Sequence, residues 1–264
     1  MFKRYLPGVL IVVWLVVGAG FLLMNKQRSA STESQVAPVR IAMSGLYPPF
    51  NYFDDRNQLV GFDVDIAKEI ARRTGREPEL ITTAWDGILA GLVAKKFDLI
   101  IGSMAITEQR KKSVNFTDPY YVSGAQLIVR KGAKITGPKD LRGKVVGVTL
   151  GETYDAYVRK SVAGVKRVAT YKGGVPNLLL ELNNKRIDAF VSDRLVGLYA
   201  IKKAGSDAVL AGELLYQEEM GIAVHKDNTE LLADVNTALA GMKEDGTYAQ
   251  ISEKWFGRNI LEIE

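Results

Sequence analysis

Asp63 and Asp65, two residues apart, offer the one spacing that suggests paired-carboxylate acid–base chemistry. Both open an amphipathic segment, however, where acids favour a helix N-terminus electrostatically, and they read as structural. Arg110 leads the basic run Arg110-Lys111-Lys112. Its planar guanidinium could fork onto a carboxylate, or it could be a solvated arginine on a helix face. Asp193 ends an apolar stretch just before a new helix, so it is a candidate either for a cation or for capping that helix. Gly151 to Thr153 lies between a strand and a helix, where free backbone N–H groups and the helix dipole can hold a carboxylate. Tyr47 and Trp85 are aromatics that could wall a small ligand or pack in a core. Glu152, Glu218 and Glu219 could each be offered as a proton donor, but no pattern singles one out. The chain has one histidine, His225, and no cysteine, which excludes thiol catalysis, disulfides and thiolate-rich zinc sites. His225, beside Lys226, reads as a surface residue.

The elements that must position these groups alternate. Short apolar runs at Val39 to Met43, Leu80 to Thr82 and Phe97 to Ile101 read as strands, and Val64 to Thr74 and Ile88 to Lys95 as helices, giving an α/β fold. In the first helix Ile66, Ala67, Ile70 and Ala71 share a face, Glu69 can pair with Arg73, and Gly75 stands where a left-handed C-cap belongs. Further on, Val145 to Val148 and Gly221 to Val224 read as strands, and Leu231, Leu232, Val235, Leu239 and Met242 stripe a long C-terminal helix. Gly87 to Ser103 aligns without gaps on Asn177 to Asp193, with Leu89, Leu92, Lys95 and Asp98 meeting Leu179, Leu182, Lys185 and Asp188. Each copy is a helix, a basic pair and an apolar strand. Ligands of open α/β sheets bind outside the carboxyl ends of the strands, so two similar lobes would bring Ser103 and Asp193 to a shared cleft.

Of 264 residues, 47% are hydrophobic and 25% charged, ample for a core. The net charge of +5 is concentrated at the start: Lys3, Arg4, Lys26 and Arg28 against Glu33 place +3 before residue 36. The remainder is nearly neutral and lacks a basic-aromatic stripe, which argues against nucleic-acid binding. The uncharged apolar run Leu6 to Met24 behind Lys3 and Arg4 reads as an export signal or an uncleaved anchor, followed by a polar linker from Asn25 to Ala37. The absence of Cys excludes a lipoprotein anchor.

At Gly61-Phe62-Asp63-Val64-Asp65-Ile66 the sequence resembles the signature of the bacterial extracellular solute-binding proteins, family 3, the polar amino-acid receptors of ABC importers. The resemblance extends through Tyr47-Pro48-Pro49-Phe50, Trp85-Asp86-Gly87, Ile106-Thr107-Glu108-Gln109-Arg110, Phe116-Thr117-Asp118-Pro119-Tyr120, Leu141-Arg142-Gly143-Lys144, Arg186-Ile187-Asp188-Ala189 and Glu253-Lys254-Trp255-Phe256-Gly257. It implies a periplasmic-binding-protein-like fold of two α/β lobes joined by two crossovers, with the ligand cleft between them. Lobe one would comprise residues 36–122 and 225–264, lobe two residues 123–224, and residues 1–35 the signal or anchor and linker.

The same resemblance assigns roles. Arg110 matches the arginine that takes the ligand α-carboxylate, and Asp193 the carboxylate that takes the α-ammonium from the opposite lobe. Tyr47 and Trp85 match aromatic walls, while Gly102, Ser103, Ala105, Gly151 and Thr153 match positions around the ligand backbone. Ala105 departs from the family, where Ser or Thr is common. Ser44 stands where receptors for cationic amino acids commonly carry an acid. The stretches Lys144 to Gly151 and Val191 to Leu195 look most like cystine-binding members, so the expected ligand is cystine or another neutral polar amino acid. The expected protein is a non-enzymatic monomer without cofactor or metal, at the periplasmic or extracytoplasmic face of the inner membrane, whose partners are the amino acid and ABC transporter membrane subunits. The rival is a cyclohexadienyl (prephenate or arogenate) dehydratase on the same fold.

Overall fold

The structure is a computed structural model, described over residues 38–261. The apolar run Leu6 to Met24 and its linker lie outside the described residues. Among the described residues no helix is long and apolar enough to cross a membrane.

Strand β1 (Pro38–Met43) is flanked by two parallel partners, β5 (Glu77–Thr82) and β6 (Leu99–Ala105). Parallel strands covered on both faces become continuous apolar runs. In β6 all seven residues are buried, including Leu99, Ile100 and Ile101. Helix α1 (Phe62–Arg73) packs the face of Ile66, Ala67 and Ile70 into this core. Glu69 pairs with Arg73 at 2.6 Å, and Gly75 adopts φ +65° just beyond the helix, both as the sequence pattern predicts. Helix α2 (Trp85–Val93) carries the chain from β5 to β6, and a small sheet of β2 (Leu46–Tyr47), β3 (Asn51–Phe53) and β4 (Leu59–Val60) lies between β1 and α1 in sequence. The short helix α3 (Glu108–Lys111) and strand β7 (Val114–Phe116) follow β6.

The second half repeats the plan. Strand β9 (Val145–Thr149) has parallel partners β10 (Arg167–Tyr171) and β11 (Ala189–Asp193). Helices α4 (Thr153–Ser161), α5 (Gly174–Asn183) and α6 (Arg194–Ala204) accompany them. Two long strands join the halves: β8 (Tyr121–Arg130), antiparallel to β11, and β12 (Ala208–His225), antiparallel first to β8 and then to β6 and β7. The strand order is therefore β10-β9-β11-β8-β12-β6-β1-β5. Each half is three parallel strands closed by one antiparallel crossing strand. Helices α7 (Thr229–Glu244) and α8 (Thr247–Phe256) return to pack with α1.

The Gly61 motif has a steric reason. A Cβ on Gly61 would sit 2.1 Å from the Phe50 carbonyl oxygen, and the residue holds φ +136°, so only glycine fits. The acid that follows it, Asp63, is fully buried and is a structural hub. Its Oδ2 accepts from Asn51 Nδ2 at 2.7 Å and Ser103 Oγ at 3.0 Å, and its Oδ1 from the Tyr120 hydroxyl at 2.7 Å. Burial raises its pKa to about 6 although these three donors favour the charged form. The other acid, Asp65, accepts from Lys254 Nζ and Trp255 Nε1, each at 2.7 Å. The pair is structural, as its place at a helix start implies.

Candidate functional site

The carboxyl ends of the parallel strands of both halves meet at one crevice with about 530 Å³ of non-atom space, part of it open to solvent. Tyr47, Trp85, Gly102, Ser103, Ala105, Arg110 and Thr153 all line it. Seven of the nine ligand residues expected from sequence are thereby brought together.

Arg110 is held by its own helix and by the strand before it. Thr107 caps α3 by accepting from the Arg110 N–H at 3.2 Å. The guanidinium then donates to the Ala105 carbonyl at 2.8 Å and reaches across to the Gly151 carbonyl at 3.3 Å. Its carbon lies 5.8 Å from the Trp85 ring centroid, within cation–π range. Burial lowers its pKa from the ordinary value, opposed by the charges of Glu218 and Glu152. The solvated-helix alternative is thus excluded for this arginine. Ala105, which lacks the hydroxyl common in the family, contributes its backbone carbonyl to orienting Arg110.

Ser103 serves differently from a side-chain ligand. It adopts φ 57°, a strained conformation for a non-glycine residue, and its N–H donates to the Tyr120 hydroxyl at 2.9 Å while its own hydroxyl donates to Asp63. Its hydroxyl is therefore committed to the hub beneath the crevice.

Gly151 and Asp193 are not among the residues that line the crevice, and here the structure departs from expectation. Gly151, at φ +84°, turns the chain into α4 and presents its carbonyl to Arg110. Asp193 caps α6, its Oδ1 accepting from the N–H groups of Leu195 at 2.7 Å and Val196 at 3.2 Å. Capping explains one oxygen only. The residue is fully buried, and Oδ2 has no hydrogen-bond partner among the described residues. Burial raises its pKa to about 6, partly offset by Ser123 and the capping N–H groups, and its charge acts on Tyr47, Glu152 and Tyr154, which line the crevice.

Sequence reasoning leaves the other lining residues out of the ligand set: it offers Glu152 and Glu218 only as proton donors that no pattern singles out, and it does not raise the ionisable Lys172 at all. Glu152 stands at the N-cap of α4, its pKa raised to about 8 by burial and by Asp193, with Thr149 and Arg110 drawing it partly back. The Glu218 pKa is likewise raised by burial. Lys172 bonds Asp86 at 2.7 Å, joining the loop after β10 to α2 of the other half. Nearby, a Cβ on Gly174 would meet the Leu46 carbonyl oxygen at 2.6 Å, so glycine allows the halves to approach closely. Alternation along β12 could have found Glu218: Glu218 and Met220 face the crevice while Glu219 is exposed. His225 is half-buried and accepts from the Asp227 N–H at 3.1 Å, outside the crevice lining.

The model of the bacterial extracellular solute-binding proteins, family 3, matches residues 39–258. The chain belongs to this family. It is 40% identical over 260 residues to the L-cystine-binding protein TcyJ of Escherichia coli (strain K12), covering 98% of this chain and 97% of that one. It is 34% identical over 227 residues to the ABC transporter arginine-binding protein 1 of the same organism, covering 84% and 92%. Among solved structures, an ancestral arginine-binding protein bound to arginine superposes with a TM-score of 0.81 at 41% identity, covering 84% of this chain and 100% of the other. These relatives are binding proteins rather than enzymes, and the fold is the periplasmic-binding-protein fold.

Proposed function

We propose that this protein is an extracytoplasmic amino-acid receptor that closes on L-cystine, or another neutral polar amino acid, and delivers it to the membrane subunits of an ABC importer. The observation that carries this reading is a crevice lined from both halves of the sheet, with Arg110 reaching across it to Gly151. Arg110 takes the α-carboxylate and the free oxygen of Asp193 takes the α-ammonium. Tyr47 and Trp85 flank the side chain, and the amides at the start of α4 around Thr153 add donors to the carboxylate. A ligand that touches both halves favours the closed state, because only differential binding shifts a conformational population. The hinge falls in β8 and β12, with residues 36–122 and 225–264 forming one lobe and 123–224 the other. Residues 1–35 export the chain and either leave it free in the periplasm or anchor it. The likeness to TcyJ over nearly the whole chain supports cystine as the first ligand to try.

A thermal-shift screen of the full-length protein against the twenty amino acids, L-cystine and prephenate tests the proposal, since a ligand of the folded state raises stability by mass action. A raised melting temperature with L-cystine or a neutral polar amino acid is expected. No shift with any amino acid, or conversion of prephenate, would overturn it.

A further inference from the structure

Arg110 and Asp193 would account for the two charges of an amino-acid head group, which leaves Glu152 and Glu218 without a role. Both line the crevice, and the Oε2 atom of each is buried with no hydrogen-bond partner among the described residues. Burial and neighbouring acids raise the pKa of Glu152 to about 8, and burial raises that of Glu218, so ionising both together is costly, and a cation that enters between them would favour their charged forms. The groups around them offset that cost only in part, since both pKa values stay raised. Arg110 attracts both acids, but its guanidinium is bonded to the carbonyls of Ala105 and Gly151. Asp193 adds further negative charge to Glu152; the hydroxyls of Thr149 toward Glu152 and of Thr153 and Tyr154 toward Glu218 favour the charged acids but bring no positive charge.

We infer that Glu152 and Glu218 form a second anionic pole of the crevice, which binds an ammonium group at the far end of the ligand and makes them the residues that set its specificity. A neutral donor could bond one of the free oxygens but would bring no charge to offset the two acids. A second ammonium does both. The acids belong to elements outside the head-group pair: Glu152 sits at the N-cap of α4 and Glu218 on the inward face of β12. The other basic residue that lines the crevice, Lys172, is paired with Asp86 of the opposite half at 2.7 Å, a contact that a second ligand carboxylate would share or displace. Two cations and these acids suit a ligand with two ammonium and two carboxylate groups, which is the chemistry of L-cystine and not of a one-ended neutral amino acid. The inference rests on the receptor reading and narrows it.

Calorimetry on the full-length protein with L-cystine and with S-methyl-L-cysteine, which keeps the head group and sulfur but lacks the distal ammonium, provides the test. L-Cystine is expected to bind roughly tenfold or more tightly than S-methyl-L-cysteine, as paired charges desolvated together require. In the double variant Glu152→Gln with Glu218→Gln that preference should collapse toward unity. Thermal unfolding of the variant reports whether it folds, and the single variants supply the same ratio if the double one does not. A purely structural role would weaken both ligands alike and leave the ratio unchanged, which would overturn the inference. S-methyl-L-cysteine binding as tightly as L-cystine to the wild type would overturn it while sparing the receptor reading, whereas binding of no amino acid would sink both.

Discussion

The unit from Gly87 to Ser103 and the unit from Asn177 to Asp193 are built alike until their last residue. In each, a lysine ends the helix in the left-handed region, Lys95 at φ 57° and Lys185 at φ 60°. Both lysine N–H groups donate one turn back, to Leu92 and Leu182. In each, an aspartate at the strand entrance accepts from the N–H of the neighbouring strand, Asp98 from Arg40 and Asp188 from Val145. At the far end they diverge. Ser103 spends its hydroxyl inside its own half on Asp63, whereas Asp193 caps α6 with one oxygen and leaves the other without a partner. One scaffold thus delivers two strand ends to the crevice with different duties. The first half anchors a cation that follows it, Arg110, and the second carries acid.

Breaking the cationic side of this contrast should have the largest effect. Arg110→Ala is expected to cost about 2–5 kcal/mol of L-cystine affinity by calorimetry, because it leaves the ligand carboxylate unpaired in a closed cleft. The acidic side is next. Asp193→Asn keeps a capping oxygen, so unfolding stability should change little. Ligand affinity should nevertheless fall by about 1.5–3 kcal/mol, the worth of a hydrogen bond to a charged group. Asp193→Ala should add a loss of about 1 kcal/mol of folding stability in denaturant titrations.

A third prediction concerns pH. Glu152 has its pKa raised in the folded state from 4.5 to about 8, so the native protein holds that proton more tightly than the unfolded chain. Its contribution to stability is present in full below about 4.5 and is lost as pH rises through about 8. Asp193 and Asp63, each raised to about 6, act in the same direction over a narrower range. Around Glu152, Glu218 and Asp193 reinforce the shift and Arg110 opposes it. Denaturant titrations across this range should show stability falling with pH in the wild type and falling less steeply in Glu152→Gln. Identical slopes would remove Glu152 from the account.

The smallest effect sharpens the likeness. Lys95→Gly and Lys185→Gly should each stabilise by up to about 1 kcal/mol in unfolding experiments, since glycine relieves the left-handed backbone at some entropic cost. Similar gains at both sites would support the repeat, and opposite signs would argue against it.

Most of the scaffold was legible because its signals are local. The strand-helix alternation, the Glu69–Arg73 pair, the left-handed Gly75 and the place of Asp63 and Asp65 in the first turn of a helix all follow from residues a few positions apart. The aligned units were visible through four identities, although the shared conformation of Lys95 and Lys185 was not. Motif resemblance gathered seven lining residues, which composition and periodicity alone could not do. What stayed hidden depends on distant pairings. Lys172 meets Asp86 only when the halves approach, and Glu218 belongs to a strand of which sequence showed only Gly221 to Val224. Asp193 was ambiguous between cap and ligand because one carboxylate can serve both.

A crystal structure of the full-length protein grown with L-cystine would test the opposed-charge arrangement most directly. The account predicts one carboxylate of the ligand within hydrogen-bond reach of the Arg110 guanidinium and the adjoining ammonium on Asp193 Oδ2. A ligand seated with its head group turned from both residues, or bound outside the crevice, would contradict it.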